Sequence, residues 1–225
     1  MGQTIGELLP TAVGVAISAI PIIALILILI TPKARSNGIA FAVGWLLGLA
    51  VVGFGTLAIA DAADLSTSSG ASDGAAGVKL VFGLLFLALA VKQWKSRPGP
   101  GEAPSMPKWM TALDSFTPGK TAGLAAVLAG VNPKNLLLTV SAAMSVAQAA
   151  NLNGGQQVVS MLVFILLGSV TVLAPLAVYL SMGSRAADIL SGWKVWLFEN
   201  NATIMCVLFL VFGAMLVGKG ISGLS

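Results

Sequence analysis

Apolar residues run almost unbroken from Leu8 to Ile30, Ile39 to Ala60, Leu80 to Val91, Thr121 to Val131 and on to Ala150, Gln157 to Met182, and Ala202 to Gly218. A bilayer crossing needs about 20 such residues, so the pattern predicts an all-α integral membrane protein with six transmembrane helices. Few residues are left over. The whole chain, 1–225, reads as one membrane domain.

Two runs are interrupted. In the fourth, Asn132-Pro133-Lys134 stands between Leu124–Val131 and Leu136–Val140; in the first, Ile20-Pro21 stands at a similar depth. Proline cannot donate a backbone hydrogen bond and its ring clashes with the preceding turn, so breaks are expected at Pro21 and Pro133. In hydrocarbon, a broken turn survives only where protein or a watered cavity covers its polar groups. Leu-Val-Phe-Gly also occurs twice, at Leu80–Gly83 and Leu210–Gly213, in the third member of each half. Three spans per half is odd, so the second half would run inverted: a 3+3 inverted-topology repeat, with repeat one at 1–95 and repeat two at 118–225. Chance recurrence of common membrane-helix strings is the competing reading. A rival register aligns Thr31-Pro32-Lys33-Ala34 with Asn132–Asn135, but Pro32 falls at a helix end.

Charge assigns sides. Lys33 and Arg35 fall in the first loop; Lys92, Lys95, Arg97, Lys108 and Lys120 in or beside the third; Arg185 and Lys194 in the fifth. The positive-inside rule makes those loops cytoplasmic and both termini extracytoplasmic, in a plasma (inner) membrane. The first span, followed by Lys33 and Arg35, reads as an uncleaved helix. Residues 96–117 form a cytoplasmic loop in which Pro107, Trp109, Leu113 and Phe116 predict a short amphipathic helix. The fifth loop, with Ile189, Leu190, Trp193, Trp196 and Leu197, repeats the pattern. Either helix is an anchor, or the two form a lateral gate for a lipid-like substrate. The net charge of +4 is dispersed among short loops, which gives no case for nucleic acid. With no histidine and one cysteine, Cys206, the usual imidazole and thiolate metal sites are missing, and no cofactor is expected.

An ammonium at mid-span costs ~2.5–3.5 kcal/mol on insertion scales, which makes Lys134 the leading site candidate. Asn132, Lys134 and Asn135 offer donors, and the half-helix that starts beside them adds positive partial charge. Together they suit a phosphate, sulfate or carboxylate. Alternatively the asparagines only cap half-helices and Lys134 snorkels to an interface. Around Pro21 the residues are apolar, Ile20 among them, and an acyl chain could lie there. Thr139, Ser141, Ser145, Ser169 and Thr171 are secondary contacts or packing hydroxyls. Asp114, Ser115 and Thr117, ahead of Pro118, read as helix caps, with Asp114 and Ser115 alternatively gating residues, and Asp61 is the one candidate for proton coupling. Neither a Walker-type loop nor a nucleophile, acid and base cluster is present, so no enzyme is expected.

Leu113-Asp114-Ser115-Phe116-Thr117-Pro118 followed by Val131-Asn132-Pro133-Lys134-Asn135-Leu136-Leu137-Leu138-Thr139 resembles the GAP family. These are the peptidoglycolipid and sulfolipid addressing proteins, a branch of the lysine-exporter (LysE) superfamily. The similarity extends through Val91-Lys92-Gln93-Trp94, Pro107-Lys108-Trp109-Met110 and Glu199-Asn200-Asn201 to nearly the whole chain. It implies a 3+3 inverted-repeat transporter that moves a cell-envelope glycolipid or anionic lipid precursor from the cytoplasmic leaflet outward. The partners implied are that lipid, the membrane and envelope-lipid synthesis or export machinery, with a homodimer left open. The alternatives are a small-solute exporter, for which the spans lack a carboxylate, and a non-transporting accessory subunit of an envelope-lipid assembly.

Overall fold

The computed structural model describes residues 2–62, 73–97, 108–149 and 152–222, and every regular element among them is helical. Eight α-helices follow in order: α1 Gly2–Ala16, α2 Ala19–Leu29, α3 Ala34–Ala62, α4 Asp73–Lys95, α5 Pro118–Gly130, α6 Pro133–Ala147, α7 Gly154–Met182 and α8 Ala186–Ser222. Three of them, α3, α7 and α8, are long and apolar enough to cross a membrane alone. The pairs α1–α2 and α5–α6 each supply one more span if taken together, bent by 52° and 64°. This is a multi-pass membrane protein.

Both interruptions are real, but they lie upstream of their prolines. The first falls at Ile17-Ser18, with Ser18 as N-cap of α2, and Pro21 is the third residue of that helix. The second falls at Val131-Asn132, and Pro133 opens α6. A proline in the first turn has no intrahelical bond to lose, since the first bond of α2 comes from Ile22 N to Ser18 O, 3.3 Å. Pro10 and Pro175 sit inside continuous helices. Proline therefore marks the start of each second half-helix, and the caps mark the break.

The third loop contains a 3-10 helix, Lys108–Ser115, with Met110 and Leu113 buried, where an amphipathic helix is expected. It packs against α2. The fifth loop has no separate helix: a short 3-10 turn, Gly183–Arg185, leads straight into the 37 residues of α8.

Cα packing divides the chain into two compact units, Met1–Thr67 with Met106–Val195 and Ser68–Ser105 with Trp196–Ser225. Each unit takes pieces of both sequence halves. In the first, α3 lies along α5, α1 along α7, and α6 contacts both α1 and α3. Small residues set these approaches: a Cβ on Gly44 would stand 2.1 Å from Ala122 O, and one on Gly48 2.7 Å from Ala126 O. Side chains are stripped from the seam so that the backbones touch, as at other intramembrane interfaces. Gly168 of α7 faces Val15 and the Ala12 carbonyl of α1 in the same manner.

In the second unit α4 packs on the later part of α8 through the repeated tetrapeptide. A Cβ on Gly83 would meet Val217 and Gly213 O; one on Gly213 would meet Leu87 and Gly83 O. The contacts are reciprocal, each glycine facing the other and the residue four beyond it. Phe86 and Phe209 stack beside them with ring centroids 5.5 Å apart. At the end of α4 the Arg97 guanidinium lies over the Trp94 ring, 3.2 Å from its centroid, a pairing suited to a membrane–water boundary.

Candidate substrate site at the two helix breaks

The break between α1 and α2 leaves the last carbonyls of α1 without intrahelical donors, deep in an apolar protein. Each finds one. Ile17 N reaches Val13 O (2.9 Å), Ser18 Oγ donates to Val15 O (2.7 Å), and Ser18 N reaches Ala16 O (2.8 Å). Thr171 Oγ1 also donates to Ala16 O. The two that remain, Gly14 O and Ile17 O, accept from Lys134 Nζ at 2.7 and 2.8 Å.

Lys134 is only 4% exposed. Its third ammonium bond goes to Ser18 Oγ at 2.8 Å, so all three donors are satisfied. Charge-assisted bonds contribute on the order of 1.5–3 kcal/mol each, so three of them outweigh an insertion cost of ~2.5–3.5 kcal/mol. The snorkelling alternative does not describe this side chain. Backbone carbonyls and one hydroxyl hold the charge, and no carboxylate is among its partners.

Asn135, fully buried, performs the same service for the other break: its Nδ2 donates to Leu128 O of α5 at 3.1 Å. Its Oδ1 lies 3.1 Å from Ser18 Oγ, so the asparagine links the two breaks. Asn132 caps α6, accepting from Lys134 N at 3.1 Å. The first turn of α6 thus carries, in four residues, the cap of its own helix and donors for the ends of both α5 and α1. Asn132→Ala should lower thermal stability by about 1 kcal/mol, the usual weight of an N-cap, while leaving the Lys134 bonds in place; a melting curve in detergent checks it.

The remaining sequence candidates are placed as follows. Pro133 is exposed and Thr139, one turn beyond Asn135, is buried with its Oγ1 unpartnered among the described residues. Ala19, Ile22 and Ile23 are buried, Pro21 with them, and Ile20 is partly so. Protein therefore fills the apolar side of the first break in this conformation, where the sequence suggests room for an acyl chain. Asp61 is exposed in the last turn of α3. Asp114 and Ser115 lie in the 3-10 helix before α5; Ser115 Oγ donates to Ala112 O, 2.8 Å, and Thr117 is the cap, so Ser115 does not cap α5. The Asp114 side chain lies outside the described residues.

Ser18 and Gly14 are not legible as site residues in the sequence. Ser18 is the one polar residue of the first break, and its place beside a predicted break is the available signal; Gly14 acts through a carbonyl that no sequence pattern displays.

Residues 8–222, from α1 to the end of α8, match the family described as Sap, sulfolipid-1-addressing protein. The chain belongs to that family. The resemblance read from its NPKN and LDSFTP stretches holds at the level of this family. No curated protein and no solved structure matches the chain. This addressing-family member keeps its helix breaks, and the lysine that joins them, inside the matched segment.

Proposed function

We propose that this protein moves an anionic envelope lipid, of the sulfated or phosphorylated glycolipid class, from the cytoplasmic leaflet outward, and that it does so without chemistry of its own. One observation carries the reading: a fully desolvated ammonium at the meeting of two helix breaks, held by three neutral acceptors. A sulfate or phosphate is a stronger acceptor than a carbonyl or hydroxyl, so an anionic headgroup can take over Lys134 and free α1 from α6. The family's description names a sulfolipid, which supplies such a group. The conformation in which Lys134 ties the two breaks together is then the closed one, and substrate binding opens the seam between them.

Six spans in two inverted halves belong to the same proposal. Its support is the matching pattern of contacts, α3 on α5 and α1 on α7, with Gly48 facing Ala126 and Gly168 facing Ala12. The reciprocal glycines of α4 and α8 add to it. Basic loops between α2 and α3 and between α7 and α8 favour an orientation with both termini outside an inner membrane. With Cys206→Ala as background, Ser225→Cys should react with an impermeant maleimide from outside intact cells; labelling only after permeabilisation would reverse the orientation.

The direct test of function is the outer-envelope lipid profile of a deletion strain. One anionic glycolipid should be lost from the surface and accumulate inside. An unchanged profile would remove lipid export as the function.

A further inference from the structure

A second site lies at the other end of α2 from the first break, where the α2–α3 joint meets the α7–α8 joint. Leu29, Ile30, Thr31, Ala34, Tyr179, Gly183, Ala187 and Leu190 line a half-open cavity of about 250 Å³ there. Leu29 and Leu190 give it an apolar wall, buried to 3% and 0% exposure. The single tyrosine of the chain, Tyr179, supplies a hydroxyl with no partner among the described residues. Thr31 has already given its proton to Ile28 O, 2.7 Å, and can only accept.

The chain flanking the lining positions is basic. Lys33 falls between lining residues Thr31 and Ala34, Arg35 follows Ala34, and Arg185 falls between Gly183 and Ala187; all three are exposed. Asp188, next to Ala187 and also exposed, is the one carboxylate adjoining the lining positions in sequence. Three cations against one anion in the chain flanking the lining, with an apolar wall and an unpartnered hydroxyl among the lining residues, favour a ligand that is anionic at one end and hydrocarbon at the other. A pocket below ~300 Å³ is smaller than a drug-sized site, so it admits a headgroup anion with its first carbons and not a whole glycolipid.

We propose that this cavity is a loading site for the anionic headgroup of a lipid in the cytoplasmic leaflet, separate from Lys134. The flanking cations would draw the headgroup from a leaflet of negative surface potential; Tyr179 would donate to it, and Leu29 and Leu190 would receive the first methylenes. The proposal rests on the lipid-export reading, but its binding step can be measured without transport.

The experiment uses the full chain in nanodiscs of phosphatidylcholine doped with phosphatidylglycerol, with bound lipid counted by native mass spectrometry after release into detergent. Wild type should retain phosphatidylglycerol over phosphatidylcholine. The triple variant Lys33→Gln, Arg35→Gln, Arg185→Gln should lose at least about fivefold of that retention, and Ala187→Trp, which fills the cavity and leaves every charge in place, should lose it too. Adding Ala187→Trp to a Lys134→Met background should cause the same proportional loss as it does in wild type, because the two sites are separate. Retention unaffected by Ala187→Trp would overturn the site, because charge alone would then explain it. No further loss on adding Ala187→Trp to Lys134→Met would overturn the separation from the breaks. Competition by free glycerol 3-phosphate at matched concentration would show a soluble-anion site and overturn the lipid assignment. If retention behaves as expected and a deletion strain shows no lipid defect, the export reading fails and the cavity stands as a lipid site.

Discussion

Lys134→Met should abolish export of the envelope lipid while the protein still inserts and accumulates. In the closed state the substitution removes a desolvated ammonium and three hydrogen bonds together. The orphaned Gly14 O and Ile17 O cost on the order of 1–3 kcal/mol each, and relief from burying the charge returns ~2.5–3.5 kcal/mol, so the fold is expected to survive. Substrate binding has no such offset. A charge-assisted bond to a sulfate or phosphate is worth ~1.5–3 kcal/mol, which corresponds to a loss of roughly 10- to 150-fold. Wild-type export by a well-folded Met variant would show that Lys134 only ties the breaks together.

Arginine is the sharper comparison. From sequence alone, Lys134→Arg keeps the charge and should restore part of the activity. The geometry says otherwise. Three acceptors converge on one nitrogen within 2.7–2.8 Å, a pattern that fits a compact ammonium and not a planar guanidinium with five spread donors. The Lys134→Arg variant should therefore disturb the break and export little. Ser18→Ala provides a coupled test: it leaves the ammonium one acceptor short, and should cost more stability in the wild-type background than with Lys134→Met. Equal costs in the two backgrounds, read from thermal melts, would show that Ser18 and Lys134 do not depend on each other.

The helical, membrane-crossing character was readable because it depends on composition summed over runs of about 20 residues, which tolerates local error. So was the existence of two breaks, since Asn132, Pro133 and Lys134 have no place in a continuous apolar helix. Their location is less legible: the prolines point to Pro133 and Pro21, whereas the breaks fall at Asn132 and Ser18. The reason is that proline is as content in a first turn as at a kink, and only the capping residue separates the two. The length of α8 was hidden for a related reason: polar Glu199, Asn200 and Asn201 look like a loop end, yet Asn200 Nδ2 donates to Trp196 O, 2.9 Å, and the helix runs through. Lys134 stood out by its cost. Its partners did not, because two of the three are backbone carbonyls freed by a break in another segment.

The α3–α5 seam gives the second large effect. Gly44→Ala should destabilise the protein more than any other glycine-to-alanine change along α3. Its Cβ would fall 2.1 Å from Ala122 O and 2.7 Å from Ala122 C and Cα, well inside contact distance, and all three are backbone atoms. Nothing can rotate away, so α5 itself must move. Overpacking of this kind costs about 1–3 kcal/mol, and a backbone clash belongs at or above the upper end. Two neighbours calibrate it. Gly53→Ala meets chiefly Met161 Cε at 2.5 Å, the end of a flexible but buried side chain, and should cost less, and Gly55→Ala meets nothing within 4 Å. Ala122→Gly should not rescue Gly44→Ala, because it removes none of the clashing atoms. Melting temperatures of the four variants in one detergent decide the matter, and a Gly44→Ala protein as stable as Gly55→Ala would mean the seam is looser than the distances say. The loss should extend to function, because α5 ends at Gly130 and hands the chain through Asn132 to Lys134. Displacing it shifts the donors of α6 away from Gly14, Ile17 and Ser18, and the closed state loses the polar contact that holds its two breaks in register.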